Sequence, residues 1–126
     1  MKYLLDSQIF LWWLNDDKRL KEPVRQILSN PRNTIYASVV TAWEISIKLQ
    51  AKPNFKLQKS LKKTFLLSKF GVMPVTFSHV LTLHKLPTYH KDPFDRMLIA
   101  QAKIEKLKLI TSDEKIWRYD LKLLKA

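Results

Sequence analysis

The sequence predicts an α/β domain built on a mostly parallel sheet flanked by helices. Two observations carry this. Short apolar runs of strand length alternate along the chain with segments of helical period. The 126 residues, 46% of them hydrophobic, suffice for one core and show no linker, repeat or low-complexity tract, so residues 1–126 read as a single domain.

The elements follow in order. Lys2–Leu5 is a short buried strand ending at Asp6, and Ser7–Leu14 is helical, with Gln8, Leu11 and Trp12 at helical spacing. Lys18–Ser29 is expected as a second helix with Leu20, Val24, Ile27 and Leu28 as its apolar stripe. Asn30-Pro31-Arg32-Asn33 is a turn, and Thr34–Ala37 is a β-branched and aromatic strand. A helix is expected from Thr41 to about Gln50, stopped by Pro53, and a basic helix over Gln58–Lys69 closed by Gly71. Val72–Val75 is a third strand and Phe77–Lys85 a short helix. Asp92-Pro93 starts a helix, Asp as N-cap and Pro as first residue, that runs through Leu98, Ala102 and Ile104. Leu107–Thr111 is a fourth strand, and Leu121–Leu124 an edge strand.

Composition excludes several chemistries. With no cysteine there is no disulfide, iron–sulfur cluster or thiolate zinc site. One glycine, Gly71, leaves no glycine-rich phosphate loop or dinucleotide fingerprint. No run reaches the roughly 18 apolar residues of a membrane span. Asp6 interrupts the apolar N-terminus and no small-residue cleavage site follows, so the expected location is the cytoplasm.

The formal charge is +12, and between Ile45 and Lys91 there is no acid, only nine lysines. A field of one sign over that length suits a polyanion, nucleic acid above all. The plainer alternative is a solvated basic surface; a lipid surface fits less well, because the lysines are not gathered on one amphipathic helix.

The acids are few and oddly placed. Asp6 follows a strand and precedes a helix, Glu44 is placed in the first turn of its helix, Asp92 and Asp95 open another, and Asp113 follows Leu109-Ile110-Thr111. Each has a structural explanation. Thr41 and Glu44 match a capping box, Asp6, Asp92 and Asp113 suit N-caps, and Asp95 suits a helix dipole. In a parallel α/β domain, however, strand ends and the helix starts after them share one edge of the sheet. Carboxylates crowded there repel one another unless a cation sits among them. Oxygen donors without cysteine or paired histidines point to Mg²⁺, with Mn²⁺ as the alternative, and to phosphodiester hydrolysis through a metal-activated water.

Tyr3-Leu4-Leu5-Asp6-Ser7, Ala42-Trp43-Glu44-Ile45, Asp92 to Ala102 and Leu109-Ile110-Thr111-Ser112-Asp113 together resemble the PIN-domain family, in family order and over nearly the whole chain. Within it the chain is similar to the VapC-like toxins of VapBC-type toxin–antitoxin pairs. The resemblance implies a parallel sheet of about five strands and a Mg²⁺-dependent endoribonuclease. It carries the acidic quartet onto Asp6, Glu44, Asp95 and Asp113 as catalytic and metal-holding residues. Asp95 rather than Asp92 matches the third acid, because it directly precedes Arg96–Ala100; Asp92 is left to helix capping and an outer role. Ser7 and Thr111 match hydroxyl positions beside the acids. Ser7 stands where many relatives carry Thr and Gln8 where many carry His, departures that remove no metal ligand.

The resemblance also implies an RNA substrate, a homodimer, and an antitoxin protein lying across an apolar groove that reaches the site. Trp12 and Trp13 are unlikely to face the core together on one helix, so one of them is a candidate for an interface, whereas Trp43 is expected in the core. Arg96 is expected to contact phosphate or pair with a neighbouring acid. His79, His84 and His90 do not form a ligand set, although His90 lies near enough to Asp92 to approach the crevice. Trp117 and Tyr119 are expected to pack the C-terminal segment. Two rival readings are a PIN-like nuclease with a housekeeping RNA or DNA substrate, and a non-catalytic basic nucleic-acid-binding module in which the acids are only caps.

Overall fold

Strand β1 (Lys2–Leu5) lies at the centre of a five-stranded sheet in the computed structural model, which describes residues 1–126. The other strands are β2 (Thr34–Ser38), β3 (Gly71–Met73), β4 (Lys108–Thr111) and β5 (Leu123–Lys125), in the spatial order β3-β2-β1-β4-β5. All four pairings are parallel. The chain steps outward from β1 to β3, then crosses back to lay β4 on the other side of β1. That reversal puts a topological switch point between β1 and β4, where the carboxyl ends of parallel strands leave a crevice.

The helices are α1 (Ser7–Leu14), α2 (Glu22–Ser29), α3 (Val39–Ala51), α4 (Leu61–Ser68), α5 (Phe77–Leu83), α6 (Pro93–Glu105) and α7 (Glu114–Trp117). Side-chain alternation along the strands splits the core in two. Tyr3, Leu5, Ile35, Ala37 and Ile110 join Ile9, Phe10, Val24, Leu28 and Phe65 from α1, α2 and α4. Leu4, Met73 and Leu109 join Leu98, Ile99, Ala102 and Ile116 from α6 and α7. Helix α3 serves both, Ile45 in the first cluster and Val40 in the second.

Several boundaries differ from the sequence expectation, each for a local reason. Helix α2 begins at Glu22, not Lys18, because Pro23 lacks an N–H and is accepted only in a first turn. Helix α4 begins at Leu61, not Gln58, with Ser60 Oγ accepting from the Lys63 N–H at 3.2 Å. Helix α3 begins at Val39, not Thr41, because Ser38 takes the N-cap and accepts from the Val40 N–H at 2.9 Å. The expected Thr41–Glu44 capping box is therefore absent. Strand β3 is Gly71–Met73 rather than Val72–Val75, since Pro74 has no donor for a ladder. The edge strand lies at Leu123–Lys125 rather than Leu121–Leu124, and α7 was not foreseen.

Gly71 does not close α4; Lys69 does, in the left-handed conformation with φ 62°. The glycine serves close approach instead, because a Cβ there would meet the Tyr36 ring at 2.8 Å. Gln101 ties α6 to the sheet edge, accepting from Ser38 Oγ at 2.7 Å and donating to the Pro74 carbonyl at 3.1 Å. No helix is long and apolar enough to cross a membrane.

Candidate active site

Asp6 is the first residue after β1 and the N-cap of α1, accepting from the Ile9 N–H at 2.8 Å through Oδ1. Its other oxygen accepts from the Thr111 hydroxyl at the end of β4. Thr111 Oγ1 in turn accepts the Asp113 N–H at 3.0 Å, so one threonine links the two strand ends. Asp113 is the N-cap of α7 and accepts from the Lys115 N–H at 2.9 Å. Asp95 rides in the first turn of α6, whose N-cap Asp92 accepts from the N–H groups of Phe94 at 2.8 Å and of Asp95 at 3.1 Å.

Glu44 does not lie in a first helical turn, as the sequence suggested, but deeper in α3, because that helix starts at Val39. Freed from capping, its carboxylate turns into the crevice. Lys48, one turn on, approaches Glu44 Oε2 at 4.0 Å, while the buried Oε1 accepts no hydrogen bond. Asp6, Glu44, Asp95 and Asp113 line one hollow of about 230 Å³ with Ser7, Gln8, Lys48 and Ser112. Ser7 contacts Thr41, Oγ to Oγ1 at 2.9 Å, and packs the floor between α1 and α3.

The electrostatics register the crowding. Burial pushes the Asp6 pKa up to about 6; the bonds from Thr111 and the Ile9 N–H oppose this, and repulsion from Asp113 and Glu44 adds to it. Asp95 is pushed up to about 7, first by burial and then by Asp92, with Asp6 and Glu44 adding and His90 opposing. Carboxylates so disfavoured as anions, beside a buried carboxylate oxygen with no donor, suit a hard divalent cation, which takes oxygen ligands and offsets the repulsion. The donor chemistry fits.

Sequence reasoning gave His90 no part in a ligand set, yet its imidazole Nε2 lies 2.8 Å from Asp113 Oδ2 and 3.0 Å from Asp95 Oδ2. The donor atoms of these three residues all fall within 4.8 Å of one another. The available signal was its position two residues before the helix cap. Arg96 pairs with no acid. Its guanidinium donates to the carbonyls of Leu83 (2.9 Å), Pro87 (2.8 Å) and His90 (3.3 Å) and to Tyr119 Oη at 3.3 Å. Trp43, expected in the core, is 61% exposed, because α3 buries Val40, Thr41 and Ile45 instead. Trp12 and Trp13 are both half-buried against the core.

The same fold occurs in several solved structures. VapBC2 from Rickettsia felis, bound to a DNA fragment from their promoter, contains a chain 17% identical, with a TM-score of 0.75 over 100% of this chain and 99% of that one. VapBC-1 from nontypeable Haemophilus influenzae gives 21% identity and 0.71 over 99% and 98%. A toxin–antitoxin complex from Klebsiella pneumoniae gives 18% identity and 0.66 over 98% and 96%. Curated proteins yield no match. The family model described as PIN domain matches residues 3–122, nearly the whole length, and the chain belongs to the PIN domain family.

Proposed function

We propose that this chain is a Mg²⁺-dependent endoribonuclease, the toxin of a toxin–antitoxin pair, acting in the cytoplasm. The observation that carries the reading is the convergence of Asp6, Glu44, Asp95 and Asp113 on one hollow, with Glu44 Oε1 buried and without a donor. Mg²⁺ is the resident ion in this reading, with Mn²⁺ as its substitute; when bound it supplies a more acidic water and draws charge from the scissile phosphate. The chain's own residues hold and orient. Asp6 and Asp113 are aligned by Thr111, Asp95 by the α6 cap, and Glu44 by the length of α3. Lys48 lines the hollow, and the chain's formal charge of +12 suits a phosphate backbone as its partner.

The partners follow from exposed apolar surface. Val39, Trp43 and Ile47 form a stripe on α3, beside a hollow of about 530 Å³ lined by Ala42, Phe65, Phe70 and Val72. An antitoxin segment suits that surface, and the similar folds from Rickettsia felis and Haemophilus influenzae were solved as VapBC assemblies. Phe77, Val80 and Leu81 on α5 offer a second apolar face, which suits a homodimer contact.

The test is cleavage of folded RNAs, transfer RNA among them, and of single- and double-stranded DNA of matched length, each with Mg²⁺ and with EDTA. RNA cut internally only when Mg²⁺ is present supports the reading. Cleavage confined to DNA replaces the substrate, and binding of RNA without Mg²⁺ uptake or cleavage favours the basic binding module.

A further inference from the structure

The His90 side chain bridges two acids from different parts of the chain, and its hydrogen bonds define how. Nδ1 accepts the Asp92 backbone N–H at 3.1 Å. A ring nitrogen that accepts holds a lone pair, so the neutral imidazole carries its proton on Nε2. That N–H donates to Asp113 Oδ2, 2.8 Å away, while Asp95 Oδ2 lies 3.0 Å from the same nitrogen without a hydrogen bond from it. The ring is buried, only 9% of the residue being exposed.

The backbone around it is pinned as tightly. The His90 N–H donates to Tyr119 Oη at 2.9 Å, and the same hydroxyl donates to the Pro87 carbonyl at 2.8 Å. Arg96, one residue beyond Asp95, gathers the carbonyls of Leu83, Pro87 and His90. The segment 83–90 is therefore strapped onto the start of α6, and Asp92 both caps that helix and sets the ring's tautomer.

We propose that His90 is a positioning residue, whose neutral Nε2–H clamps Asp113 beside Asp95 from outside the coordination sphere of the ion. The clamp rests on reading the crevice as a divalent-ion site. For Nε2 to ligate an ion it must give up its proton, which then moves to Nδ1 and faces the Asp92 N–H donor to donor. That arrangement loses a buried hydrogen bond, and a hard ion such as Mg²⁺ gains little from imidazole. As a donor, His90 holds the Asp113 carboxylate in place next to Asp95, which otherwise repels it, and leaves lone pairs on both for an ion. Arg96 and Tyr119 act through it by holding the segment that carries it.

Two measurements decide the matter. Long-range ¹⁵N–¹H spectra of the histidine rings in the unmodified protein are recorded with EDTA and then with saturating Mg²⁺. The clamp predicts the Nε2–H tautomer for His90 in both states. A proton on Nδ1 in the metal-free spectrum, or loss of the Nε2 proton when Mg²⁺ binds, overturns it. Calorimetric Mg²⁺ titration then compares His90→Leu with His90→Gln, whose amide places a donor close to the Nε2 position. The leucine variant is expected to lose about tenfold to hundredfold in affinity and the glutamine variant no more than about threefold. Parent-like affinity in His90→Leu overturns the clamp. An unmodified protein that takes up no Mg²⁺ sinks the metal reading and with it the clamp's purpose, while an Nε2–H in the metal-free spectrum still separates that failure from an error in the ring's assignment.

Discussion

The indole of Trp43 stands edge-on to the ring of Phe94, their centroids 4.9 Å apart and their planes at 81°. The contact joins α3 to the start of α6 one residue from Glu44 and one residue from Asp95, so the exposed Trp43 ring rests on the partly buried Phe94 beside the acidic residues. Trp43 is also the centre of the apolar stripe that runs from Val39 to Ile47.

Under the proposed function that placement assigns Trp43 to antitoxin binding more than to folding. Trp43→Ala removes one aromatic pair and is expected to cost no more than about 1.5 kcal/mol in urea denaturation. Affinity for the cognate antitoxin, followed by titration, is expected to fall by at least about tenfold, as for an aromatic anchor near the centre of an interface. Unchanged affinity with a large loss of stability would assign Trp43 to packing after all.

Stability without metal should depend on pH in a direction set by Asp6 and Asp95. Their folded-state pKa values, about 6 and about 7, lie above the ordinary 3.8, so the folded chain retains protons that the unfolded chain releases. Stability is therefore greatest below that window and falls as pH rises from about 4 to about 7. Asp17 works in the opposite sense further down, because its hydrogen bonds from Arg19 hold it at about 2 and its contribution is lost on acidification. In EDTA, the urea midpoint is expected to be higher at about pH 5 than at about pH 8, by a free energy on the order of a few kcal/mol at 1.4 per pKa unit. Saturating Mg²⁺ should reverse the trend, since the ion binds ionised carboxylates. A lower midpoint at the acidic end in EDTA would contradict the account of the crevice.

Arg96 is expected to behave as a structural residue with reach into the site. A lysine has no planar fork to span the carbonyls of Leu83, Pro87 and His90 together; Leu83 keeps the Leu86 N–H and Pro87 the Tyr119 hydroxyl as donors, and the His90 carbonyl is left without one. Arg96→Lys should lower stability by about 1–3 kcal/mol in urea denaturation. It should also quicken amide exchange in segment 83–90. A variant as stable as the parent would remove the strap from the account.

The sequence made the sheet and the placement of two acids, Asp6 and Asp113, legible for one physical reason. Apolar strands that stop at an aspartate announce both the strand end and the cap of the next helix, as Leu5-Asp6 and Thr111-Ser112-Asp113 do. The α6 start was equally plain, since Asp92 and Pro93 together allow little else. Helix α3 was harder. Ser38 and Thr41 can both cap, and Val39–Ile47 is apolar on nearly every side, so neither its first residue nor its buried face followed from pattern. Its misplaced start also hid why Glu44 is free to enter the crevice. The role of His90 lay further out of reach, because its bond to Asp113 spans 23 residues and depends on a segment shaped by Arg96 and Tyr119. Spacing reports helix faces; it does not report where a strapped loop delivers a ring.

The most direct test of the central claim compares the unmodified chain with Asp95→Asn in one RNA cleavage assay with Mg²⁺, with Mg²⁺ uptake measured on the same samples. The account predicts that the parent cuts, that Asp95→Asn cuts at least about a hundredfold more slowly and binds Mg²⁺ more weakly, and that the variant is the more stable of the two in EDTA. Equal cleavage and equal Mg²⁺ uptake by both proteins would contradict it.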